Sequence, residues 1–208
     1  MLVLVLLVPL TGFAHDVEIG EIFYNLDNEK KEATVTYKGC CSDNEDYTRF
    51  VVIPSSVQYN GVRYTVTAIG DGAFNNCVRL RSLTIPNTVT SLGEKAFAKC
   101  NGLTSFIIPN SVTSIGKKAF YLCTDITSME ISNSVQSIGS HAFFGCSSLT
   151  SITIPYSVTC IADSTFSYCS KLTTVKIPHS VTSIGRGAFR SCTGLTSVKF
   201  PNSLTSIG

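Results

Sequence analysis

Hydrophobic and polar positions follow one pattern that repeats every 23 residues through most of the chain. Two positions do not vary between copies: a phenylalanine column, made of Phe74, Phe97, Phe120, Phe143, Phe166 and Phe189, and a cysteine column, made of Cys77, Cys100, Cys123, Cys146, Cys169 and Cys192. A fixed period of about 20 to 50 residues is typical of solenoids and other repeat arrays. The pattern therefore predicts a repeat solenoid, mainly β, with one coil per repeat.

Each repeat contains two short apolar runs. In the copy LTSITIPYSVTCI (149–161), apolar and polar residues alternate up to a proline, which predicts a strand closed by a residue without a backbone N–H. Val158 and Ile161 are then expected to point inward from a second extended piece. A single coil cannot offset the entropy of ordering its own residues, so stacking against neighbours has to stabilise it.

The turns of the unit are marked by glycine and by the sequence A-F-x-x-C. A glycine column suits a turn that needs positive φ, and it is interrupted once, by Ala162. The A-F-x-x-C segment suits a short helical or 3₁₀ turn that buries its phenylalanine and cysteine. The glycines are Gly70, Gly93, Gly116, Gly139, Gly185 and Gly208.

The whole unit, L-x-x-I-x-I-P-x-S-V-T-S-I-G-x-x-A-F-x-x-C, closely resembles the BspA-like class of leucine-rich repeats. The resemblance covers about Val51 to Gly208, and the segment IGEIFYNLDNEKKEATVTYKG (19–39) resembles the module that precedes such repeats in secreted bacterial proteins. It implies a right-handed coil with a parallel sheet, used for protein binding and adhesion at a cell surface. It implies no catalytic residue that could be placed on this chain.

The first residues predict export. Leu2 to Leu10 is an apolar run too short to cross a bilayer, but it matches the hydrophobic region of a signal peptide, although no Lys or Arg precedes it. Small residues at Gly12 and Ala14 favour cleavage before His15, so residues 1–14 are predicted to be a signal peptide and the protein to be secreted or at the cell surface. A buried strand is the alternative.

Residues 15–50 are predicted to form a β-hairpin cap, and residues 51–208 the solenoid. Two strand-like runs, Glu21 to Leu26 and Lys31 to Tyr37, flank the turn DNEK, and such a hairpin would cover the open edge of the first coil. Asn60-Gly61 predicts a second hairpin, which should project from that coil and either lengthens the cap or extends a binding surface. The last repeat is incomplete, so further repeats or another domain are expected to cover it.

Composition and charge exclude several classes of protein. The chain is 44% hydrophobic, 14% charged and carries a formal net charge of +2, which allows a core and gives no basic block for nucleic acid. No segment is predicted to span a membrane. No phosphate-binding loop or nucleophile motif occurs in a strand-to-helix context, and His15, His141 and His179 fall at unrelated positions, so neither a catalytic site, a metal nor a cofactor is predicted.

The cysteine column is predicted to consist of free, buried thiols. An exported chain with nine cysteines would ordinarily form disulfides, but side chains in one column point the same way and pack as small hydrophobic groups. Cys40, Cys41 and Cys160 lie outside the column, and the sequence leaves their disulfide state open. The spacing C-x₂-C, typical of zinc sites, is absent.

Outward-facing positions of the first strand are the candidate binding residues. One position is almost always threonine and another varies from copy to copy, which suits a platform for a protein, an extracellular-matrix component or another cell-surface ligand. The alternative is that Thr and Ser merely suit exposed strands. The candidates are Thr84, Thr104, Ile107, Thr127, Glu130, Thr150, Thr153, Thr173, Lys176 and Lys199. A non-catalytic binding or adhesion module is the favoured function, and a structural spacer that presents a further carboxyl-terminal domain is the alternative.

Overall fold

The computed structural model describes residues 17–36 and 50–208. The predicted signal peptide, Cys40 and Cys41 lie outside these residues. The described part consists of strands and turns and contains no helix. The prediction of a mainly β repeat solenoid is confirmed, because like positions of successive repeats lie side by side.

Three strands precede the repeats: β1 (Val17–Ile19), β2 (Ile22–Asp27) and β3 (Glu32–Thr36). They pair antiparallel in sequence order, so the strands predicted on either side of DNEK are confirmed. Asp27 closes the turn between β2 and β3, since its carboxylate accepts hydrogen bonds from the backbone N–H groups of Glu29 and Lys30, both at 2.9 Å. The role of this hairpin as a cap stays a prediction.

The first repeat contains β4 (Phe50–Val52), β5 (Ser56–Tyr59) and β6 (Val62–Ile69). β5 and β6 form the hairpin predicted at Asn60-Gly61, whose two residues have φ of 49° and 77°. Within β6, Val62 to Thr65 pair with β5, and Thr65 to Ile69 pair in parallel with β3, so the hairpin continues into the amino-terminal sheet. Its projection from the first coil stays a prediction. Tyr64 is buried, and its hydroxyl donates to Asn28 Oδ1 at 2.5 Å.

The later repeats each place a first strand and a second strand at matching positions. The first strands are β7 (Ser82–Thr84), β9 (Ser105–Ile107), β11 (Ser128–Glu130), β13 (Ser151–Thr153) and β15 (Thr174–Lys176). The second strands are β8 (Ser91–Leu92), β10 (Ser114–Ile115), β12 (Ser137–Ile138), β14 (Cys160–Ile161), β16 (Ser183–Ile184) and β17 (Ser206–Ile207). Where neighbouring strands of one of these sets pair, they do so in parallel with a register of 23 residues.

The two strand sets differ in continuity. Second strands continue the amino-terminal sheet in the order β1-β2-β3-β6-β8-β10-β12, and β14-β16-β17 follow as a separate sheet. First strands pair two at a time, as β4–β7, β9–β11 and β13–β15. The expected parallel sheet is therefore present, but it is divided along the stack.

The phenylalanine column runs through the centre of the solenoid. Neighbouring rings from Phe74 to Phe189 stack nearly parallel, with centroids 5.2 to 5.6 Å apart. Phe106 adds edge contacts, since its ring centroid lies 5.0 Å from that of Phe97 and 4.9 Å from that of Phe120. Because rings at this spacing cover each other, every coil completes the burial of the next.

The cysteine column is free and buried, as predicted. Each thiol from Cys100 onward donates a hydrogen bond to the phenylalanine carbonyl of the preceding coil, at 2.9 to 3.2 Å. Burial raises the pKa of both Cys123 and Cys169 to about 12. Cys160, outside the column, is exposed and free.

The reason given for the glycine column is wrong. Its members do not have positive φ; instead, a Cβ on Gly116 would lie 2.5 Å from the carbonyl carbon of Gly93 in the coil before. This close approach lets the Gly116 N–H reach the Leu92 carbonyl at 2.7 Å. Among the described residues, no matching bond joins Ala162 to Ile138, and the ladder of second strands is interrupted there.

The predicted helical or 3₁₀ turns are also wrong in detail. Phe97 illustrates the cause: its carbonyl accepts from the Cys100 N–H at 3.2 Å, as in a 3₁₀ turn, but its own N–H donates to Ala119 of the next coil at 2.8 Å. Lys95 and Lys99, on either side, have φ of 54° and 60°. Alternating bonds within and between coils, with left-handed residues between them, form a chain of tight turns rather than a helix.

Candidate binding face

The first strands and the residues that flank them form one exposed surface, called here the strand face. Along each strand the outer two residues are exposed and the middle one is buried or nearly so, as for Ser105, Phe106 and Ile107. All ten residues predicted to bind a partner are exposed, and they lie on this face or on its continuation at Lys199. Phe106, the buried residue of its strand, contacts Phe97 and Phe120 of the phenylalanine column beneath the face.

The threonine positions of the strand face also support the stack. The hydroxyl of Thr127 donates to the Thr104 carbonyl at 3.1 Å, and that of Thr173 donates to the Thr150 carbonyl at 3.1 Å. The same carbonyls accept the backbone N–H groups of Thr127 and Thr173. These side chains therefore join neighbouring coils, and the regular threonine spacing reflects stacking as well as exposure.

The variable position changes in chemistry along the stack. At the amino-terminal end Val52, which pairs with Thr84, is 69% exposed, and Ile107 is also 69% exposed. Glu130 and Thr153 follow, and the last two positions are Lys176 and Lys199. The strand face thus has an apolar end and a cationic end.

Two exposed residues at the apolar end were missed by sequence reasoning. Phe50 is 71% exposed and lies opposite Ser82 in β7, while Val52 lies opposite Thr84. The signal was available, because Phe50 and Val52 flank the buried Val51 in the same alternation as later strands. It was obscured because the first repeat departs from the 23-residue spacing.

A cavity of about 420 Å³ lies at the cationic end. Lys176 and Lys199 form part of its lining with His179 and Phe200, and Phe200 is 46% exposed. No acidic side chain contributes to this lining. The arrangement suits an acidic group attached to an apolar one.

The described residues contain no group of three or more His, Cys, Asp or Glu side chains that could hold a metal ion. His141 and His179 lie in different surroundings: the Nδ1 atom of His141 is buried without a hydrogen-bond partner beside Phe144, whereas His179 is at the cationic end of the strand face. Within residues 17–36 and 50–208, no helix is long and apolar enough to cross a membrane.

Comparison with known families agrees with the stacked geometry. The family model for the BspA type leucine rich repeat region matches with six copies over residues 55–173 and 113–208. The chain belongs to this family. Among curated proteins, no sequence matches significantly.

Solved structures of two bacterial repeat proteins are similar to this chain. A leucine rich cell surface protein from Faecalibacterium prausnitzii A2-165 is 37% identical to this chain, with a TM-score of 0.79. The match covers 92% of this chain and 50% of the Faecalibacterium protein. The T. pallidum leucine rich repeat protein is 24% identical, with a TM-score of 0.69, and the match covers 86% of this chain and 90% of the T. pallidum protein. The second supports the fold alone. The chain spans about half the length of the first.

Proposed function

We propose that this BspA type repeat protein is an exported, non-catalytic module that binds another protein at the cell surface through its strand face. The family and the similarity to a leucine rich cell surface protein support a repeat protein of the bacterial surface. The observation that carries the proposal is the strand face itself, where exposed Val52 and Ile107 lie on a rigid stack that ends in two lysines.

The chemistry of the face defines the partner that fits it. Apolar side chains at strongly exposed positions lose unfavourable contact with water when a partner covers them. The lysines at the other end steer and orient an acidic region, an effect that salt weakens. The proposed partner is therefore a protein segment with an apolar part and an acidic part, from a neighbouring cell or from the extracellular matrix.

The proposal includes the boundaries of the three segments predicted from the sequence. Residues 1–14 act as the signal peptide, residues 15–50 as the cap and residues 51–208 as the binding solenoid. Expression with these residues, followed by amino-terminal sequencing of the secreted protein, tests the cleavage before His15. A secreted product that still begins at Met1 would contradict it.

The binding proposal is tested with purified chain against an array of matrix and cell-surface proteins. One variant, Ile107→Ser, removes the apolar contact, and the double variant Lys176→Glu with Lys199→Glu reverses the charge. Ile107, Lys176 and Lys199 are all exposed, so the melting temperatures of the variants should stay close to that of the native chain. Lys95→Glu, a charge reversal in the turn before Phe97, is the matched control.

A partner that binds the native chain and the Lys95 variant, but binds each strand-face variant at least about tenfold more weakly, supports the proposal. Salt should weaken binding of the native chain but should not weaken binding of the charge-reversed variant, whose glutamates repel an acidic partner. A partner whose affinity is the same for all variants would place the interaction elsewhere. If an intact, folded chain binds none of the array, the spacer function becomes the better explanation.

A further inference from the structure

A second cavity, of about 500 Å³, lies along the turns that follow the phenylalanine column in four successive coils. Its walls are the side chains of Leu122, Phe144 and Tyr168, and Tyr168 is 44% exposed. It is an open depression on the surface rather than an enclosed pocket. The cavity is separate from the strand face, because none of the ten candidate residues lines it.

One missing side chain creates this cavity. Gly145 occupies a position that carries a side chain in every other described coil: Asn76, Lys99, Leu122, Tyr168 and Ser191. All of these have positive φ, from 57° to 65°, and Gly145 has 71°. Because five residues with side chains adopt the same backbone, the conformation alone does not require glycine. What Gly145 provides is space, since its Cβ would lie 2.5 Å from Leu122 Cδ2.

The aromatic walls are held in fixed positions. The ring of Phe144 stacks on Tyr121, with centroids 5.0 Å apart, and contacts Tyr168 at 5.1 Å on its other side. Backbone bonds of 2.7 Å from the Leu122 N–H to the Phe144 carbonyl, and from the Tyr168 N–H to the Arg190 carbonyl, fix the turns. Because Phe144 is covered on both sides, the half-exposed ring of Tyr168 is the aromatic surface that a ligand would meet, and its position is already fixed.

Hydroxyl groups line the cavity beside the rings. Thr124, Ser147 and Ser170 occupy one position in three successive coils. The Ser147 hydroxyl makes no hydrogen bond to any described residue, and the Ser170 hydroxyl donates only a long one, 3.4 Å, to the Ser147 carbonyl. A hydroxyl is both a donor and an acceptor, so it can pair with another hydroxyl in either direction.

We propose that this cavity binds a neutral pyranose ring. One face of such a sugar presents C–H groups that pack on an aromatic ring, and its edge presents hydroxyls that pair with Ser and Thr. No lining side chain is charged at neutral pH, which disfavours sialic or uronic acids and phosphorylated sugars. The Thr124 hydroxyl already donates to Asp125 Oδ1 at 3.1 Å, so a purely apolar peptide side chain would leave the Ser147 hydroxyl in particular without a partner.

Saturation-transfer NMR tests the site with methyl glycosides of glucose, galactose, mannose and N-acetylglucosamine. At least one should receive saturation at its ring C–H protons from the protein. Gly145→Asn introduces the side chain that Asn76 carries at the same position and fills the space, whereas Tyr168→Ser introduces that of Ser191 and removes a wall. Each should weaken binding at least about tenfold, whereas Lys99→Ser, at the same position outside the cavity, should not.

The proposal is overturned if none of the four glycosides gives a signal at millimolar concentration, or if binding survives both cavity variants in chains that melt like the native protein. It is also overturned if N-acetyl-leucinamide binds more tightly with the same dependence on Tyr168, or if glucuronate binds better than glucoside. Strand-face variants such as Ile107→Ser should leave glycoside binding unchanged, so this site and the protein-binding function succeed or fail separately.

Discussion

The thiol of Cys123 donates a hydrogen bond of 2.9 Å to the carbonyl of Phe97, one coil earlier. That carbonyl also accepts the Cys100 N–H at 3.2 Å. Each column cysteine from Cys100 onward therefore ties its own coil to the turn before it, next to the stacked rings. The cysteine column is a polar link inside an apolar core, which explains why one cysteine per coil occurs without a disulfide.

The first prediction concerns thiol reactivity. At neutral pH, a disulfide reagent should label Cys160 quickly and the column cysteines only when the chain unfolds, because a thiolate is the reactive form and buried thiols are not ionised. Counting labelled thiols against time, in native protein and in denaturant, checks this. Cys160→Ala should remove the fast phase due to Cys160 while leaving the melting temperature unchanged. Rapid native labelling of Cys123 would contradict the packing.

The second prediction is a loss of stability at alkaline pH. Burial raises the pKa of Cys123 and Cys169 from 9.0 to about 12, and that of Cys146 well above 9.0. Above pH 9 the unfolded chain therefore loses protons that the folded chain retains, so the free energy of unfolding falls as pH rises towards 12. Below pH 9 this contribution is fully present.

The size of this effect is about 1.4 kcal/mol per pH unit for each such thiol. Urea unfolding at a series of alkaline pH values measures the slope. Cys123→Ala should reduce it by the contribution of one group and lower the stability at neutral pH by about 1 kcal/mol, because a hydrogen bond is lost. Tyr24, whose pKa burial raises to about 12, contributes in the same direction, so Tyr24→Phe measures the part of the slope that is not due to thiols. A slope unaffected by Cys123→Ala would contradict the assignment.

The core could be predicted from the sequence because the buried side chains recur at the spacing of the repeat. Phe120 and Phe143 recur at the repeat spacing, and their rings stack in the structure. Cys146 recurs at the same spacing, and its thiol is bonded to the Phe120 carbonyl of the coil before. Alternation around Ile152 likewise identified the buried and exposed sides of the first strand. Periodicity determines which residues face inward, and it does so in every copy.

Other features depended on distances that periodicity does not encode. Gly116 recurs because neighbouring backbones nearly touch, and a repeated glycine is equally consistent with positive φ. Lys99 and Leu122 adopt positive φ although nothing in their residue types indicates it. The cavity at Gly145 arises from an absent side chain at a variable position, which leaves no pattern to read.

The third prediction follows from the glycine column. Gly116→Ala should destabilise the protein by about 2 to 3 kcal/mol, because the added methyl group collides with backbone that cannot turn away. Ala162→Gly, at the same position in another coil, is the reference and should change stability by no more than about 1 kcal/mol. Denaturant unfolding of the two variants checks both values. Equal, small effects would show that the coils can separate without cost.

Hydrogen exchange of single backbone amides compares the same two positions, Gly116 and Ala162. The amide of Gly116, bonded to the Leu92 carbonyl at 2.7 Å, should be protected in the native chain. The amide of Ala162, which lies where the ladder of second strands is interrupted, should exchange faster. Ala162→Gly should slow exchange at that position if the methyl group is what keeps β12 and β14 apart.

The fourth prediction separates stability from binding at two adjacent residues. Phe106 is 5% exposed and contacts two rings of the phenylalanine column, whereas Ile107 is 69% exposed. Phe106→Ala should therefore cost about 3 to 5 kcal/mol, because it removes a buried ring and leaves a cavity. Ile107→Ala should change the free energy of unfolding by less than about 0.5 kcal/mol. Urea unfolding of both variants provides the measurement.

Partner binding should show the opposite order of effects at these two positions. Ile107→Ala should weaken partner binding, while Phe106→Leu, which keeps the buried site filled, should leave partner binding nearly unchanged. Equal losses of stability at the two positions would mean that the strand is twisted out of the alternation on which the binding face depends.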